Sequence, residues 1–219
     1  ISTKMLQAAA GARDEGATVA YVASHFADRI TSIDISNPSN LTQLDSLRSG
    51  NLDYAEAVSL DLDNQVAYVI SSEVDSITSI DISDPSSLTE LDSLSNANLD
   101  FAFGVALDLA NQVAYVTSFF VDSITSIDIS DPSNLIQLDS LSNANLDGAV
   151  RVALDLTNQV AYVAAQSFNG ITSIDISNPS NLTQLGSLSS ANLDSAKAVA
   201  LDITNQVAYV ASRIANSIT

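Results

Sequence analysis

Residues 66–86 read VAYVISSEVDSITSIDISDPS, and this stretch decides the fold. Its first six residues are rich in β-branched and aromatic side chains, which favour a β-strand. Within the segment Ile77–Ser83, Ile80 and Ile82 share one face, which indicates a second strand. The Asp-Pro-Ser sequence that follows places Pro85 at a favoured turn position. The stretch therefore predicts two antiparallel strands that end at a tight turn.

This stretch recurs along the chain at a constant interval of 47 residues. The interval separates successive copies of its tyrosine, at Tyr21, Tyr68, Tyr115, Tyr162 and Tyr209, and successive copies of its proline, at Pro38, Pro85, Pro132 and Pro179. A period in this range is typical of a solenoid, a propeller or an array. We divide a single domain, residues 1–219, into the repeats 4–50, 51–97, 98–144, 145–191 and 192–219.

Each repeat contains two further strand signals besides this pair. In the repeat 51–97 they are the apolar run Ala55–Leu62 and the segment Leu88–Leu94, and the polar turn Leu62–Gln65 follows the first of them. No segment keeps a helical period of hydrophobic residues. Four antiparallel strands in a unit of this length are typical of a propeller blade. The sequence therefore predicts an all-β propeller of four-stranded blades, with the last repeat incomplete.

The repeats resemble the LVIVD-repeat propellers of bacterial and archaeal surface proteins. The resemblance rests on VAYV at residues 66–69, on ITSIDISDPS at residues 77–86, and on the copies of both. The sequence AYVT at residues 114–117 is similar to the related YVTN-type surface propellers. The resemblance spans nearly the whole chain. It implies a propeller fold and a secreted or cell-surface location, and it implies no particular activity, because the family is functionally diverse.

The fifth repeat stops within its third strand, at Ile218-Thr219, which leaves open how the propeller closes. A five-bladed ring could close with one thin blade, the parent chain could be longer, or copies of the chain could complete one another as a homo-oligomer. Residues Ile1–Leu6 could add a strand at the gap. An uncovered edge strand would otherwise be an aggregation hazard.

Composition excludes several classes of partner and site. The formal net charge is −19, from 7 basic and 26 acidic residues, which disfavours nucleic acid and anionic membranes as partners. The chain has no cysteine, so neither a disulfide nor a thiolate site is available. No apolar run approaches the roughly 18–20 residues that span a bilayer, so we expect no direct membrane insertion.

The copies differ mainly in two windows. The first window opens the first strand of each repeat, where one column reads Gln7, Tyr54, Phe101, Gly148 and Ser195, and a second reads Ala9, Glu56, Phe103, Val150 and Lys197. The second window follows the second strand, as at residues 25–27 and 119–121. In an antiparallel meander both windows lie at the same end of the sheet. We therefore expect the variation to lie on one face of the disc, the top face, near the mouth of the central channel.

Bulky and charged side chains are concentrated in these windows, which hold all six phenylalanines and the only histidine. Drift among duplicated repeats would instead scatter changes over both faces and favour small polar residues. Aromatic residues and arginine commonly anchor interfaces. We predict that the top face binds a protein or a glycan through His25, Phe26, Tyr54, Glu56, Glu73, Phe101, Phe103, Phe119, Phe120, Arg151, Gln166, Phe168, Lys197 and Arg213.

The aspartates form two repeated sets. One set ends the first strand, at Asp61, Asp108, Asp155 and Asp202 with Asp14 in the first repeat, and the other precedes it, at Asp53, Asp100, Asp147 and Asp194. Carboxylates that converge on a channel could hold Ca²⁺. Their near-identity in every repeat instead favours a local role, in which each carboxylate caps its own turn. We expect no metal or cofactor, with a calcium ion at the second set as the alternative.

Enzyme chemistry has little support in the sequence. His25 has no cysteine and no unique serine and aspartate with which to form a triad. Glu56 and Glu73 are the acidic residues that stand out from their copies. We therefore expect a non-enzymatic binding module. The alternatives are a structural or oligomerisation module of a larger surface protein, and a propeller-class hydrolase or lyase that uses Glu56 or Glu73.

Overall fold

The computed structural model describes residues 6–12, 18–213 and 217–218, which fold into five antiparallel sheets. We call these sheets blades 1 to 5. The strands of blades 1 and 2 are β1 (Leu6–Ala12), β2 (Thr18–Ser24), β3 (Arg29–Asp34), β4 (Thr42–Arg48), β5 (Ala55–Asp61), β6 (Val66–Ser71), β7 (Ser76–Asp81) and β8 (Thr89–Ser95). The strands of blades 3, 4 and 5 are β9 (Ala102–Asp108), β10 (Val113–Ser118), β11 (Ser123–Asp128), β12 (Ile136–Ser142), β13 (Ala149–Asp155), β14 (Val160–Ala165), β15 (Gly170–Asp175), β16 (Thr183–Ser189), β17 (Ala196–Asp202), β18 (Val207–Ser212) and β19 (Ser217–Ile218).

Each blade is a meander whose strands pair in chain order. The predicted strand Val66–Ser71 is confirmed residue for residue as β6. The predicted strand Ile77–Ser83 was too long at its end, since β7 stops at Asp81, whose carboxylate accepts a hydrogen bond from the Ser83 amide at 2.7 Å and so starts the turn. The predicted strand Leu88–Leu94 lies one residue later, as β8.

Short 3₁₀ turns join the blades, and the sequence analysis missed them. They lie at Gly50–Leu52, Ala97–Leu99, Ala144–Leu146 and Ala191–Leu193. Each buries its leucine, and in the first three the preceding Ser or Asn side chain accepts a hydrogen bond from the amide two residues on. In the described part of the chain, no helix has the length and apolar character needed to cross a membrane.

The core lies between neighbouring blades rather than at one central point. Side chains of the second strand of a blade pack against the 3₁₀ turn and the innermost strand of the next blade, as Tyr68 and Ile70 pack with Leu99 and Ala102. Every residue of β6 and of β10 is buried, because these strands have a blade on each side. Such burial on both faces explains why these strands read as continuous apolar runs.

Polar contacts repeat at the three interfaces between blades 1 and 4. The amide of Leu135 in blade 3 donates to Asp92 Oδ2 in blade 2 at 2.7 Å, and equivalent bonds join blades 1 and 2 and blades 3 and 4. Ser79 Oγ donates to the Pro132 carbonyl at 2.6 Å, again with equivalents. In blade 4 the position equivalent to Asp92 is Gly186, which has no carboxylate to make this bond.

Replacing Asp92 with alanine is expected to lower the free energy of unfolding by about 1–2 kcal/mol, because the Leu135 amide loses its acceptor inside a part-buried interface. Asp92→Asn retains a side-chain carbonyl acceptor and is expected to recover at least half of the loss. Urea denaturation of the two variants checks this. Equal losses in both variants would show that the carboxylate charge, rather than the bond to the amide, stabilises the interface.

The two end blades expose faces that are buried elsewhere. Tyr209 of blade 5 is 49% exposed, whereas Tyr115 in the same column is fully buried. Leu41 of blade 1 is 59% exposed, whereas its counterpart Leu88 is 5% exposed. The innermost strands β1, β5, β9, β13 and β17 each pack against the next, and in the described residues no comparable packing joins β17 to β1. The described blades therefore form an open arc.

Strand β1 departs from the register of the other blades. It pairs Ala8 with Val22, although the repeat predicts Gly11 opposite Val22, as Val58 lies opposite Val69 in blade 2. In the other blades the position of Gly11 is a valine and the position of Arg13 is a leucine. Blade 1 therefore lacks the apolar pattern that fixes the register of this strand. Asp14 lies outside the described residues, as does the proposed closing strand Ile1–Leu6 except for Leu6, which begins β1.

Candidate functional site

Backbone hydrogen bonds bring the two variable windows together in each of blades 2 to 5. The Phe119 amide in the second window donates to the Phe101 carbonyl in the first window at 3.0 Å. The same bond links Ser72 to Tyr54 at 3.1 Å, and equivalent bonds occur in blades 4 and 5. The variable positions of each blade are therefore contiguous and lie at one end of its sheet.

The first window opens with a residue in the left-handed backbone region. Tyr54, Phe101 and Ser195 have φ values of 56°, 54° and 57°, and Gly148 has a φ of 67°. A side chain in this region costs roughly 1–2 kcal/mol. The preceding blade fixes the position, since the Phe101 amide donates to Asp75 Oδ1 at 2.9 Å. Aromatic residues at two of these positions are therefore held there against an energetic cost, as is common at functional sites.

A β-bulge follows two residues later in the innermost strand. The pairing register shifts around a single residue in β5, β9, β13 and β17, and these residues are Glu56, Phe103, Val150 and Lys197. Bulges redirect side chains and occur frequently beside functional sites. One of the variable columns of the repeat is therefore the bulge column in blades 2 to 5.

Five residues from five different blades form one group, which we call the inner cluster: His25, Glu56, Phe103, Arg151 and Lys197. His25 Nδ1 lies 2.8 Å from Glu56 Oε1. The Arg151 guanidinium lies 5.1 Å and the Lys197 ammonium 5.7 Å from the centroid of the Phe103 ring, within the range of cation–π interactions. The charge of Glu56 acts on both of these cations.

Glu56 is only 3% exposed, although it carries a carboxylate. Ser72 Oγ donates to Glu56 Oε1 at 3.1 Å, and His25 meets the same oxygen from blade 1. A buried carboxylate without such partners would be strongly destabilising. His25 and Glu56 were both predicted as site residues, but their pairing was not predicted. The signal for it was that each residue is unique in its column and that the two belong to adjacent repeats.

The two cations of the inner cluster are held by neutral acceptors. Arg151 Nη1 donates to the carbonyl oxygens of Phe103 and Val150, and Lys197 Nζ donates to Gln166 Oε1. Burial lowers the pKa of Arg151, and the charge of Glu56 opposes this shift. Burial and then the charges of Arg213 and Arg151 lower the pKa of Lys197, against the opposing charge of Glu56.

Gly104 allows blades 3 and 4 to approach closely beneath the inner cluster. A Cβ atom at this position would lie 2.7 Å from the Val150 carbonyl oxygen and 3.2 Å from the Arg151 Cα. The missing side chain therefore determines where the backbone of Arg151 can lie relative to Phe103.

An aromatic patch lies beside the inner cluster on blade 3 and comprises Phe101, Phe119 and Phe120. The Phe101 ring lies 4.6 Å from that of Phe120, 6.0 Å from that of Phe119 and 5.9 Å from that of Phe103. Phe120 is 62% exposed. The patch therefore extends from an exposed ring at the surface to the Phe103 ring, beside which the two cations lie.

A second aromatic group joins blades 1 and 2. The His25 ring lies 4.5 Å from the Phe26 ring and 4.3 Å from the Tyr54 ring, both edge to face. Phe26 is 55% exposed. This group places a second exposed aromatic ring next to the inner cluster, through His25.

Three of the predicted site residues lie outside these groups, although the charge of one of them, Arg213, acts on Lys197 of the inner cluster. Glu73 is exposed in the loop between β6 and β7, where its charge acts on Asp53. Phe168 makes no ring contact with another aromatic residue in the described part of the chain, and Arg213 is exposed in the loop after β18. Gln166, by contrast, joins the inner cluster through Lys197.

The two sets of aspartates differ in their surroundings. Asp155 Oδ1 accepts from the Asn158 amide at 3.1 Å and Oδ2 from the Asn158 side chain at 2.7 Å, and these bonds lower the pKa of Asp155. The predicted turn-capping role of this set is confirmed, with equivalent bonds at Asp61, Asp108 and Asp202.

The second set follows the 3₁₀ turns, at Asp53, Asp100, Asp147 and Asp194. Burial raises the pKa of Asp53, as do its hydrogen bond with Asp28 and the charge of that neighbour. Within residues 6–12, 18–213 and 217–218, no three His, Asp or Glu residues are grouped so that they could hold a metal ion.

The successive four-stranded meanders, each packed on the next through its inner strand, define a propeller-type repeat protein. A family model described as the LVIVD repeat matches residues 20–47, 67–95, 114–141 and 156–189. The chain belongs to the LVIVD-repeat family, as the resemblance in the sequence indicated. A comparison with curated protein sequences found no match.

Solved structures share this fold at low sequence identity. The periplasmic gluconolactonase of Pseudomonas aeruginosa superposes with a TM-score of 0.80 and 12% identity over 95% of this chain and 64% of its own. A functionally unknown protein from Desulfotomaculum acetoxidans gives 0.74 and 12% over 96% and 67%. A chain of a nidogen/laminin complex gives 0.64 and 17% over 91% and 70%. The chain thus spans about two thirds of the length of these structures.

Proposed function

We propose that this protein is a non-enzymatic carbohydrate-binding module, secreted or displayed at the cell surface, that binds a glycan through its top face. The observation that carries the proposal is the exposed Phe120 ring of the aromatic patch, next to the inner cluster with its hydrogen-bonding groups. A sugar presents an apolar C–H face and a polar rim of hydroxyl groups. Ligand sites with an aromatic wall and a few fixed polar groups suit such a molecule.

The distribution of side chains on the blades supports this proposal. The end of the blades that bears the β9–β10 hairpin turn is nearly constant among the repeats, whereas the opposite end carries the strained aromatic residues Tyr54 and Phe101. Contiguous exposed apolar patches usually mark binding sites. We infer that the arc of blades is the scaffold of a propeller, and that variable positions from several blades together contact the ligand.

Replacing Phe120 with alanine is expected to weaken glycan binding at least about tenfold, because it removes the most exposed ring of the aromatic patch. The free energy of unfolding should change by less than about 1 kcal/mol, since the side chain is mostly solvated. Binding is measured on a glycan array and then by titration calorimetry.

The matched control is Leu109→Ala, which removes an exposed apolar side chain from the hairpin turn at the opposite end of the same blade. The control should bind as the unaltered protein does. If Phe120→Ala also retains full binding, or if only proteins and no glycan bind the chain, the carbohydrate proposal is wrong.

A hydrolase is a second candidate, and the paired His25 and Glu56 favour it. A carboxylate bound at Nδ1 orients an imidazole so that Nε2 can act as a general base. One structural neighbour is named as a gluconolactonase, at 12% identity. Lactone and ester hydrolysis assays with Glu56→Gln as the control test this candidate, which requires an activity that the substitution removes.

A further inference from the structure

We infer that the inner cluster binds the carboxylate of an acidic saccharide, so that the ligand is a uronic acid-containing glycan rather than a neutral one. The inference rests on the proposed glycan-binding function and specifies its ligand class. The geometry that carries it is the placement of the Arg151 guanidinium and the Lys197 ammonium, from adjacent blades, over the single ring of Phe103.

Basic residues are few in this chain, and several of them gather at the inner cluster. The chain has 7 basic residues against 26 acidic ones, and two of the seven, Arg151 and Arg213, lie close enough to a third, Lys197, for their charges to repel it. This repulsion contributes, after burial, to the lowered pKa of Lys197. In a protein with a net charge of −19, a local group of cations provides a site that an anion can enter.

Uncharged oxygen atoms hold these cations in place. Carbonyl oxygens of Phe103 and Val150 position Arg151, and the Gln166 amide oxygen positions Lys197. These acceptors orient the two groups, and the charge of Glu56 acts on both of them. The nearby carboxylate, Glu56, has its Oε1 within bonding distance of both His25 and Ser72. An incoming anion would therefore meet positioned positive charge.

The chemistry of a uronic acid matches both the cations and the aromatic patch. A planar carboxylate matches the donors of a guanidinium, and charge-assisted bonds of this kind are roughly twice as strong as neutral ones. The aromatic patch lies next to the same Phe103 ring, with the Phe101 and Phe103 centroids 5.9 Å apart. A uronic acid joins a carboxylate to a sugar ring, so one ligand residue could use the cations and the aromatic patch together.

The test compares three probes by titration calorimetry: a galacturonate oligomer, its methyl-esterified form and a neutral galactose oligomer. We expect the free acid to bind at least about tenfold more tightly than the other two, and Lys197→Met to remove that preference. Arg213→Gln should reduce the preference in part. Arg48→Met is the matched control, because Arg48 already pairs with Asp28 at 3.0 Å, and it should keep the preference.

The pH dependence gives a second readout that a purely structural role of Lys197 would not produce. Because burial and neighbouring cations lower the pKa of Lys197, affinity for the free acid should fall as the pH rises through that lowered pKa, and the same fall should be absent in Lys197→Met. A pH profile identical in both proteins would count against the inference.

The outcomes separate this inference from the function on which it rests. If all three probes bind equally and Lys197→Met has no effect, the inner cluster does not bind a carboxylate selectively, but the proposed glycan-binding function is retained. If a sulfated galactose oligomer binds and the galacturonate oligomer does not, the assignment to a carboxylate is overturned. If no saccharide binds, the proposed function fails as well.

Discussion

The alanine variant of Tyr115 is expected to be less stable than the unaltered protein by about 3–5 kcal/mol. Tyr115 is fully buried between blades 3 and 4, where it packs with Leu146, Ala149 and Ala161. Removing the ring would leave a cavity that two rigid sheets cannot close. Urea denaturation followed by circular dichroism gives the change in the free energy of unfolding.

The repeat supplies a matched control in the same column. Tyr209→Ala removes the same side chain from blade 5, where it is 49% exposed, and should cost less than about 1 kcal/mol. If the two variants lose equal stability, the face that bears Tyr209 is covered in solution and the open arc does not describe the protein there.

A second variant at Tyr115 separates the contribution of the buried ring from that of the hydroxyl group. The hydroxyl is buried and has no hydrogen-bond partner among the residues that the structure describes, and burial together with the charge of Asp108 raises its pKa well above the ordinary value. Tyr115→Phe removes a buried, unsatisfied polar atom and keeps the ring. This variant should therefore be as stable as the unaltered protein or slightly more stable. The large loss in Tyr115→Ala would then be due to packing.

Replacing Gly104 with valine is expected to cost about 3 kcal/mol or more and to abolish preferential binding of an acidic saccharide. The new Cβ would lie 2.7 Å from a backbone oxygen of β13, so β9 and β13 would have to move apart. Arg151 would then leave its position over Phe103. Thermal unfolding measures the first effect and titration with the galacturonate oligomer the second.

Gly186→Ala is the matched control, since its Cβ would lie 3.5 Å from Ser173 Oγ, an ordinary contact. That variant should be neutral or slightly stabilised, because alanine restricts the unfolded chain more than glycine does. Unchanged stability in Gly104→Val would show that the two blades are farther apart than the structure places them.

Because the sequence repeats, most of the fold could be predicted from it. The four strands of a blade and the turns between them follow from alternation and from turn residues at a constant interval, and β6 matched residue for residue. The 3₁₀ turns were missed because a single turn such as Ala97–Leu99 has no hydrophobic period, and its capping residue Asn96 suits a loop equally well. Strand β1 could not be placed, because Gly11 and Arg13 remove the apolar pattern that fixes the register.

The candidate site could be predicted from the sequence only in part. Comparing the five copies with one another located the variable columns, because the constant residues of one repeat define what is unusual in the next. It could not show that Glu56, Phe103 and Lys197 are bulge residues, since a bulge depends on pairing with the neighbouring strand. Nor could it pair His25 with Glu56, because that contact depends on how adjacent blades are placed.

The open arc has a consequence for how a bound ligand would act on the whole molecule. Each blade is held mainly by its neighbours, so the chain behaves as a row of coupled units in which the two end units have one neighbour instead of two. The inner cluster takes one residue from each of the five blades. A molecule bound there would tie the first unit to the last and so act as a non-covalent cross-link. A bound ligand would then stabilise the two end blades most, although the aromatic patch lies on a middle blade.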